Sequence, residues 1–307
     1  MIQLLHDTKI PFMNYRKYFY AFSLATMLAV VAWLVVNGGP RYSVDFTGGT
    51  LLQIQTAKTV PADDVRRALD AAGFRGAEIQ SSGNGDEFLI RIGTQDAKKD
   101  PFSEMQKALV RINPASNPTL RRIEAVGPKV GDELRGKALW AILLSLGAIL
   151  VYVGIRYEFK FAVGAVIALF HDVFLAFGVI CFLNREVGLT VIAALLTLAG
   201  FSINDTIVVF DRIRERSKQL HKLSHEEMMN TAVNETLSRT IITSLTVFLA
   251  TLALFVFGGE VINDFALAML AGVVFGTYSS IFVASALALD IWNWLDKKKG
   301  VTRAKAA

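Results

Sequence analysis

Long apolar runs alternate with short polar breaks along most of this chain. A hydrocarbon layer about 30 Å thick needs about 20 successive apolar residues to be crossed by a helix. Six stretches meet or approach that length: residues 19–36, 138–155, 161–183, 187–210, 240–259 and 265–295. They predict six membrane-crossing helices. The last run outlasts a bilayer, so its end is expected at the interface, with Trp292 and Trp294 as amphipathic anchors. The first run is long for a signal-peptide core and is followed by Asn37-Gly38-Gly39-Pro40 with no small-x-small cleavage pattern. It reads as a retained anchor.

Between the first two runs the period changes. Residues 42–55 read as an extended strand interrupted by Gly48-Gly49. Pro61 opens a helix with Val65 and Leu69 on one face, and Gly73 ends it. Residues 77–80 and 88–92 alternate apolar with polar around Ser82-Gly83-Asn84-Gly85, which predicts a hairpin. Asp100-Pro101 starts a second helix with Met105, Leu109 and Ile112 at helical spacing, and residues 120–126 form a last strand before Gly127-Pro128. The order βαββαβ is that of a ferredoxin-like α+β sandwich. The predicted fold class is therefore an α-helical polytopic membrane protein of six transmembrane helices, with one ferredoxin-like extracytoplasmic domain between helices 1 and 2. The division places an N-terminus and first helix in 1–37, the outer domain in 38–135, helices 2 to 6 in 136–296 with a basic loop at 211–238, and a basic tail at 297–307. By itself the outer domain reads as a binding or spacer module.

Composition agrees with a lipid environment. Of 307 residues 53% are hydrophobic and 19% charged, and the mean hydropathy is +0.42. Charge then orients the chain, because short cytoplasmic flanks collect Lys and Arg. With the N-terminus inside, the inner flanks hold fifteen: Lys9, Arg16, Lys17, Arg156, Lys160, Arg212, Arg214, Arg216, Lys218, Lys222, Lys297, Lys298, Lys299, Arg303 and Lys305. The outer short loops hold only Arg185. The net charge of +5 is thus mainly a topology signal, and no nucleic-acid partner is inferred from it. A single cysteine, Cys181, excludes an internal disulfide and a cysteine-based metal site. There is no G-x-x-x-x-G-K-[ST] loop, and His225-Glu226-Glu227 lacks the second histidine of a zinc-protease helix.

Candidate chemistry lies in the apolar runs, where an Asp costs about 2.5–3.5 kcal/mol at a helix centre on insertion scales. His171-Asp172 falls mid-run in the third helix, Asn204-Asp205 lies near the inner end of the fourth, and Arg239 is expected to open the fifth. Arg239, Thr243 and Thr246 share one stripe, and Ser202 and Asp205 share a face with Arg212, so these stripes are expected to face each other. A nearby cation favours a carboxylate and desolvation favours the neutral acid. A static Asp205–Arg239 pair and a working proton relay are both compatible with this pattern. For His171-Asp172 helix cohesion is the favoured reading. Asp211 and Asp290, beside bases at helix ends, read as interface charges, and Gly272-x-x-x-Gly276 reads as helix packing.

Several segments are similar to those of the SecF family of bacterial protein-export membrane proteins (SecD/SecF family, RND superfamily). Asp45, Phe46, Thr47, Gly48 and Gly49, preceded by Val44, resemble its motif after helix 1, and residues 126–131 its lead into helix 2. The longest match is 200–212, with 237–244 and 276–280 following; Phe201 departs from the more common Tyr. The resemblance runs in order from about Tyr15 to Trp294. It implies half of an RND-type unit completed by SecD, beside SecYEG and often YajC, in the bacterial inner membrane with both termini cytoplasmic. It implies that the proton gradient, or Na⁺ in its place, drives preproteins outward without a bound cofactor or ATPase site, so the chain is expected to be a transport accessory rather than an enzyme. Asp205 would be the proton-relay carboxylate and Arg239 its cation, with Asn204, Ser202, Thr243, His171 and Asp172 as accessory polar groups. The Gly272/Gly276 face and the fourth helix are expected to meet SecD. An RND-type small-molecule exporter half, an intramembrane aspartyl protease built on Asp172 and Asp205, and a non-transporting scaffold are the competing readings.

Overall fold

A computed structural model describes residues 8–82, 85–93, 100–157, 159–219 and 223–306. The chain divides into two compact units, one running as far as Arg41 and resuming at Trp140, the other spanning Tyr42–Leu139.

The smaller unit holds β1 (Gly49–Gln55), α3 (Ala62–Ala71), β2 (Glu78–Ser82), β3 (Glu87–Ile92), α4 (Pro101–Ile112) and β4 (Thr119–Val126), preceded by a short helix α2 (Val44–Thr47). The four strands form one antiparallel sheet in the order β2-β3-β1-β4, with Leu52 opposite Ile90 and Ile123. This is the ferredoxin-like arrangement that the element order predicts. Leu52, Ile54, Phe88 and Ile90 from the sheet pack with Val65 and Leu69 of α3 and Met105 and Leu109 of α4. Ile112, at the last position of α4, is 36% exposed and outside that core. Of the expected hairpin turn, Gly83 and Asn84 lie outside the described residues.

The strand expected over 42–55 begins only at Gly49. Ser43 caps α2 by accepting from the Asp45 amide, so Val44, Asp45, Phe46 and Thr47 make one helical turn, with Phe46 buried. β-branched composition suggested a strand, but the local cap wins. Gly48 and Gly49 then turn the chain into the sheet with φ of +70° and +123°. A β-carbon on Gly49 would lie 2.6 Å from the Ile92 carbonyl oxygen. A β-carbon on Gly131 would lie 3.1 Å from Phe46 O, so the two motif segments of the smaller unit meet here.

The larger unit contains α1 (Arg16–Val36), α6 (Phe159–Phe182), α7 (Leu189–Gln219), α8 (His225–Phe257), and a last span made of α9 (Glu260–Ser279), a π-helical segment (Ser280–Ala284) and α10 (Ser285–Ala306). With α5 (Pro128–Arg156), six helical spans have the length and hydropathy to cross a bilayer. α9 packs against α6, α7 and α8. Leu144, Val151 and Ile155 of α5 and Leu249, Val256 and Phe257 of α8 are exposed. A lipid-facing surface has this character, because lipid tails are as apolar as leucine.

Two expectations are corrected. The basic loop placed at 211–238 is largely helix, since α7 continues to Gln219 and α8 begins at His225 behind a Ser224/Glu227 capping box. Arg212 bonds Glu215 at 2.5 Å and Glu235 at 2.6 Å, and Arg216 bonds the same Glu235, so opposite charges hold the polar ends of α7 and α8 together. Arg239 consequently lies inside α8 instead of opening a helix. Second, Gly272 and Gly276 are not open to a partner subunit. A β-carbon on Gly272 would stand 2.3 Å from Leu198, and one on Gly276 3.3 Å from Ser202, both on α7.

Candidate ion-coupling site

Asp205 sits on α7 with 2% of its surface exposed. Thr243 and Ser244, neighbours on α8, direct their hydroxyls to its two oxygens at 3.3 and 3.1 Å. Ser244 also meets Thr277 of α9 at 2.7 Å. Three helices thus converge on one carboxylate through hydroxyls. A hydroxyl can donate to a carboxylate or accept from the protonated acid. The shell around Asp205 is therefore satisfied in either protonation state, which a purely cationic partner does not allow.

Arg239 lies one helical turn before Thr243, whose hydroxyl is 3.1 Å from the Arg239 carbonyl. Its side chain is exposed, and among the described residues it makes no ion pair with Asp205. Of the predicted stripes only Asp205 and Thr243 meet; Ser202 bonds Asp172 on α6, and Arg212 bonds Glu235, which lies outside the predicted stripe. Thr246 instead bonds the Ile242 carbonyl, and Asn204 points to an exposed face beside the buried Asp205.

Asp172 on α6 is fully buried. One of its oxygens accepts from Ser202 of α7 and Ser279 of α9, both at 2.5 Å. The other lies 2.9 Å from His171 Nδ1. Asp172 and Asp205 therefore keep separate partners and share no hydrogen bond, whereas an acid dyad needs its carboxyls in contact. Ser244, Thr277 and Ser279 belong to the shells of the buried carboxylates, and periodicity alone does not single them out. All three lie in the motif segments 237–244 and 276–280.

A bundle of helices long enough to cross a membrane, joined to a ferredoxin-like unit, is the architecture of the SecD/SecF class, with its RND-like fold, to which comparison with known proteins assigns the chain. The family profile for the protein export membrane protein SecD/SecF, C-terminal, matches residues 105–294, and that of the SecD/SecF GG motif matches 33–60. The chain belongs to the SecF family. It is 43% identical over 286 residues to protein translocase subunit SecF of Calditerrivibrio nitroreducens, covering 92% of this chain and 94% of the relative. Against SecF of Vibrio alginolyticus it is 43% identical over 293 residues, covering 95% and 93%. The crystal structure of SecDF from Thermus thermophilus superposes with a TM-score of 0.85 at 39% identity, covering 95% of this chain and 40% of that longer one.

Proposed function

We propose that the chain is the SecF-type subunit of a protein translocase, acting with a SecD-type partner to draw preproteins out through a SecYEG channel, with YajC as an associated component, at the expense of an ion gradient. The coupling ion is the proton, with Na⁺ as the alternative. The observation that carries this reading is the Asp205 shell, a buried carboxylate on α7 whose hydroxyl partners come from α8 and are tied to α9. Such a site can load a proton, and release it once α8 shifts and brings Arg239 closer. One charge crossing about 100 mV supplies about 2.3 kcal/mol. The basic flanks orient both termini and the α7–α8 turn to the cytoplasm and the outer unit to the far side of the inner membrane.

The test is preprotein export into inverted membrane vesicles at fixed ATP, with and without an ionophore that collapses the gradient. Gradient-stimulated export should vanish in Asp205→Asn while the complex with the partner forms in normal yield. Stimulation retained in that variant refutes the reading.

A further inference from the structure

We propose that His171 and Asp172 form a second proton-carrying pair, distinct from Asp205, which takes up and releases its proton at His171 Nε2. The proposal rests on the ion-driven reading above and extends it to a second site in the same bundle.

The argument is an accounting of hydrogens. Asp172 is 0% exposed and His171 2%. Ser202 and Ser279 each have one hydroxyl hydrogen, and both aim it at Asp172 Oδ2 at 2.5 Å. The remaining oxygen, Oδ1, lies 2.9 Å from His171 Nδ1, and in the charge state proposed here Nδ1 carries the hydrogen and Asp172 accepts it. The other ring nitrogen, Nε2, is buried and has no hydrogen-bond partner among the described residues. An imidazole tied through Nδ1–H to a carboxylate, with Nε2 bare, is one proton short of an imidazolium–carboxylate pair. Uptake of H⁺ forms one N–H bond at Nε2 and changes the net charge of the pair from −1 to 0. Release breaks the same bond.

A group that serves only cohesion has its polar atoms paired in the packed state. Here the carboxylate is fully served and the far side of the ring is not. Among the described residues no Lys or Arg is paired with Asp172 either. α6 is packed by α1, α7, α9, the π-helical segment and α10. α7 contributes Asp205, engaged with α8. α9 contributes Tyr278, whose ring centroid lies 6.1 Å from that of His171 and whose hydroxyl bonds the Phe19 carbonyl and Ser23. α1 contributes Tyr20 and α10 contributes Asp290, which bond each other. Residues 280–284 carry no titratable side chain.

The surroundings of both carboxylates draw on α7 and α9. Ser202 precedes Asp205 by three positions on α7, and Ser279 follows Thr277 by two on α9. A displacement of α9 against α7 therefore alters both shells together. It also opens the closed side of the His171 ring, which a protonated Nε2 needs to find an acceptor. The π-helical segment begins at the residue after Ser279, and π turns interrupt the regular ladder at such sites.

The experiment is nitrogen-15 NMR of the full chain, labelled at its 4 histidines and reconstituted with its partner subunit in liposomes, over about pH 5 to 8. The signal removed by His171→Gln should show a bare Nε2 that gains a proton on acidification. Asp172→Asn should abolish the wild-type midpoint, whereas Asp205→Asn should leave it in place. His171→Gln should reduce gradient-stimulated export at least about tenfold, the size of a 1.4 kcal/mol change at room temperature. A His171 signal that never changes, a midpoint insensitive to Asp172→Asn, or full export in His171→Gln overturns the proposal. If Asp172→Asn fails to assemble, the wild-type titration decides alone. Loss of the ion-driven reading would show separately, as full export in Asp205→Asn.

Discussion

Gly272 of α9 and Leu198 of α7 occupy one space between their helices. A β-carbon at 272 would stand 2.3 Å and 2.5 Å from the two methyl groups of Leu198. The first prediction follows from that contact. Gly272→Ala should destabilise the bundle by about 1–3 kcal/mol, the usual penalty of overpacking. Leu198→Ala added to it should restore most of the loss by vacating the volume. Thermal unfolding in detergent, followed by size-exclusion chromatography, measures both; equal stability of Gly272→Ala and wild type would contradict the packing.

A second prediction separates a static pair from a working one. Arg239 is exposed and, among the described residues, makes no ion pair with Asp205, although its charge is near enough to act on that carboxylate. Asp205→Asn, Arg239→Met and the double variant should all assemble and all lose gradient-stimulated export. Recovery in the double variant would mean that the two groups only neutralise each other, as a buried pair does.

Orientation can be read by labelling. With Cys181 replaced by alanine, Lys107→Cys on α4 and Arg214→Cys on α7 each present one exposed thiol. A membrane-impermeant maleimide should label position 107 in intact spheroplasts, and position 214 only after permeabilisation. The opposite pattern would invert the topology drawn from the basic flanks.

Two glycines of the outer unit should behave differently although both have positive φ. At Gly73, φ is +92° and a β-carbon meets nothing within 4 Å, so Gly73→Ala should cost about 1–2 kcal/mol of backbone strain alone. At Gly49 the added carbon also strikes the backbone oxygen of Ile92 at 2.6 Å, which no side-chain rotation relieves. Gly49→Ala should therefore render the outer unit of the full chain protease-sensitive under conditions where Gly73→Ala remains resistant.

The crossings were legible because a bilayer demands a minimum apolar length, and the outer unit because its turns and alternation carry the signal locally. What the sequence concealed has two causes. Residues 211–219 and 225–238 are too polar to register as membrane helix, yet they are rich in helix formers whose charges pair across the turn, as in Arg212–Glu235. The Asp172 shell was hidden for a different reason. Its serines lie 30 and 107 residues away in sequence, on two other helices, and no periodicity within one helix brings them together. Asp205 and Thr243 were found because each lies on a stripe of its own helix, but Ser244 and Thr277 needed the packing of α8 on α9 to be seen.

The π-helical turn at Ser280–Ala284 acts on the last span as a change of phase. One additional residue in a helix rotates everything beyond it by about 100° relative to an uninterrupted spiral. Before the turn, Thr277 and Ser279 address α8 and α6; after it, Asp290 addresses Arg16 and Tyr20 of α1. A single rod of constant pitch would put those two audiences out of step. Removing one residue from the turn would restore regular α-helical phase and swing Asp290 away from α1, while Thr277 and Ser279 kept their aim. The extra residue thus sets the rotational phase between the hydroxyls that face α6 and α8 and the carboxylate that faces α1.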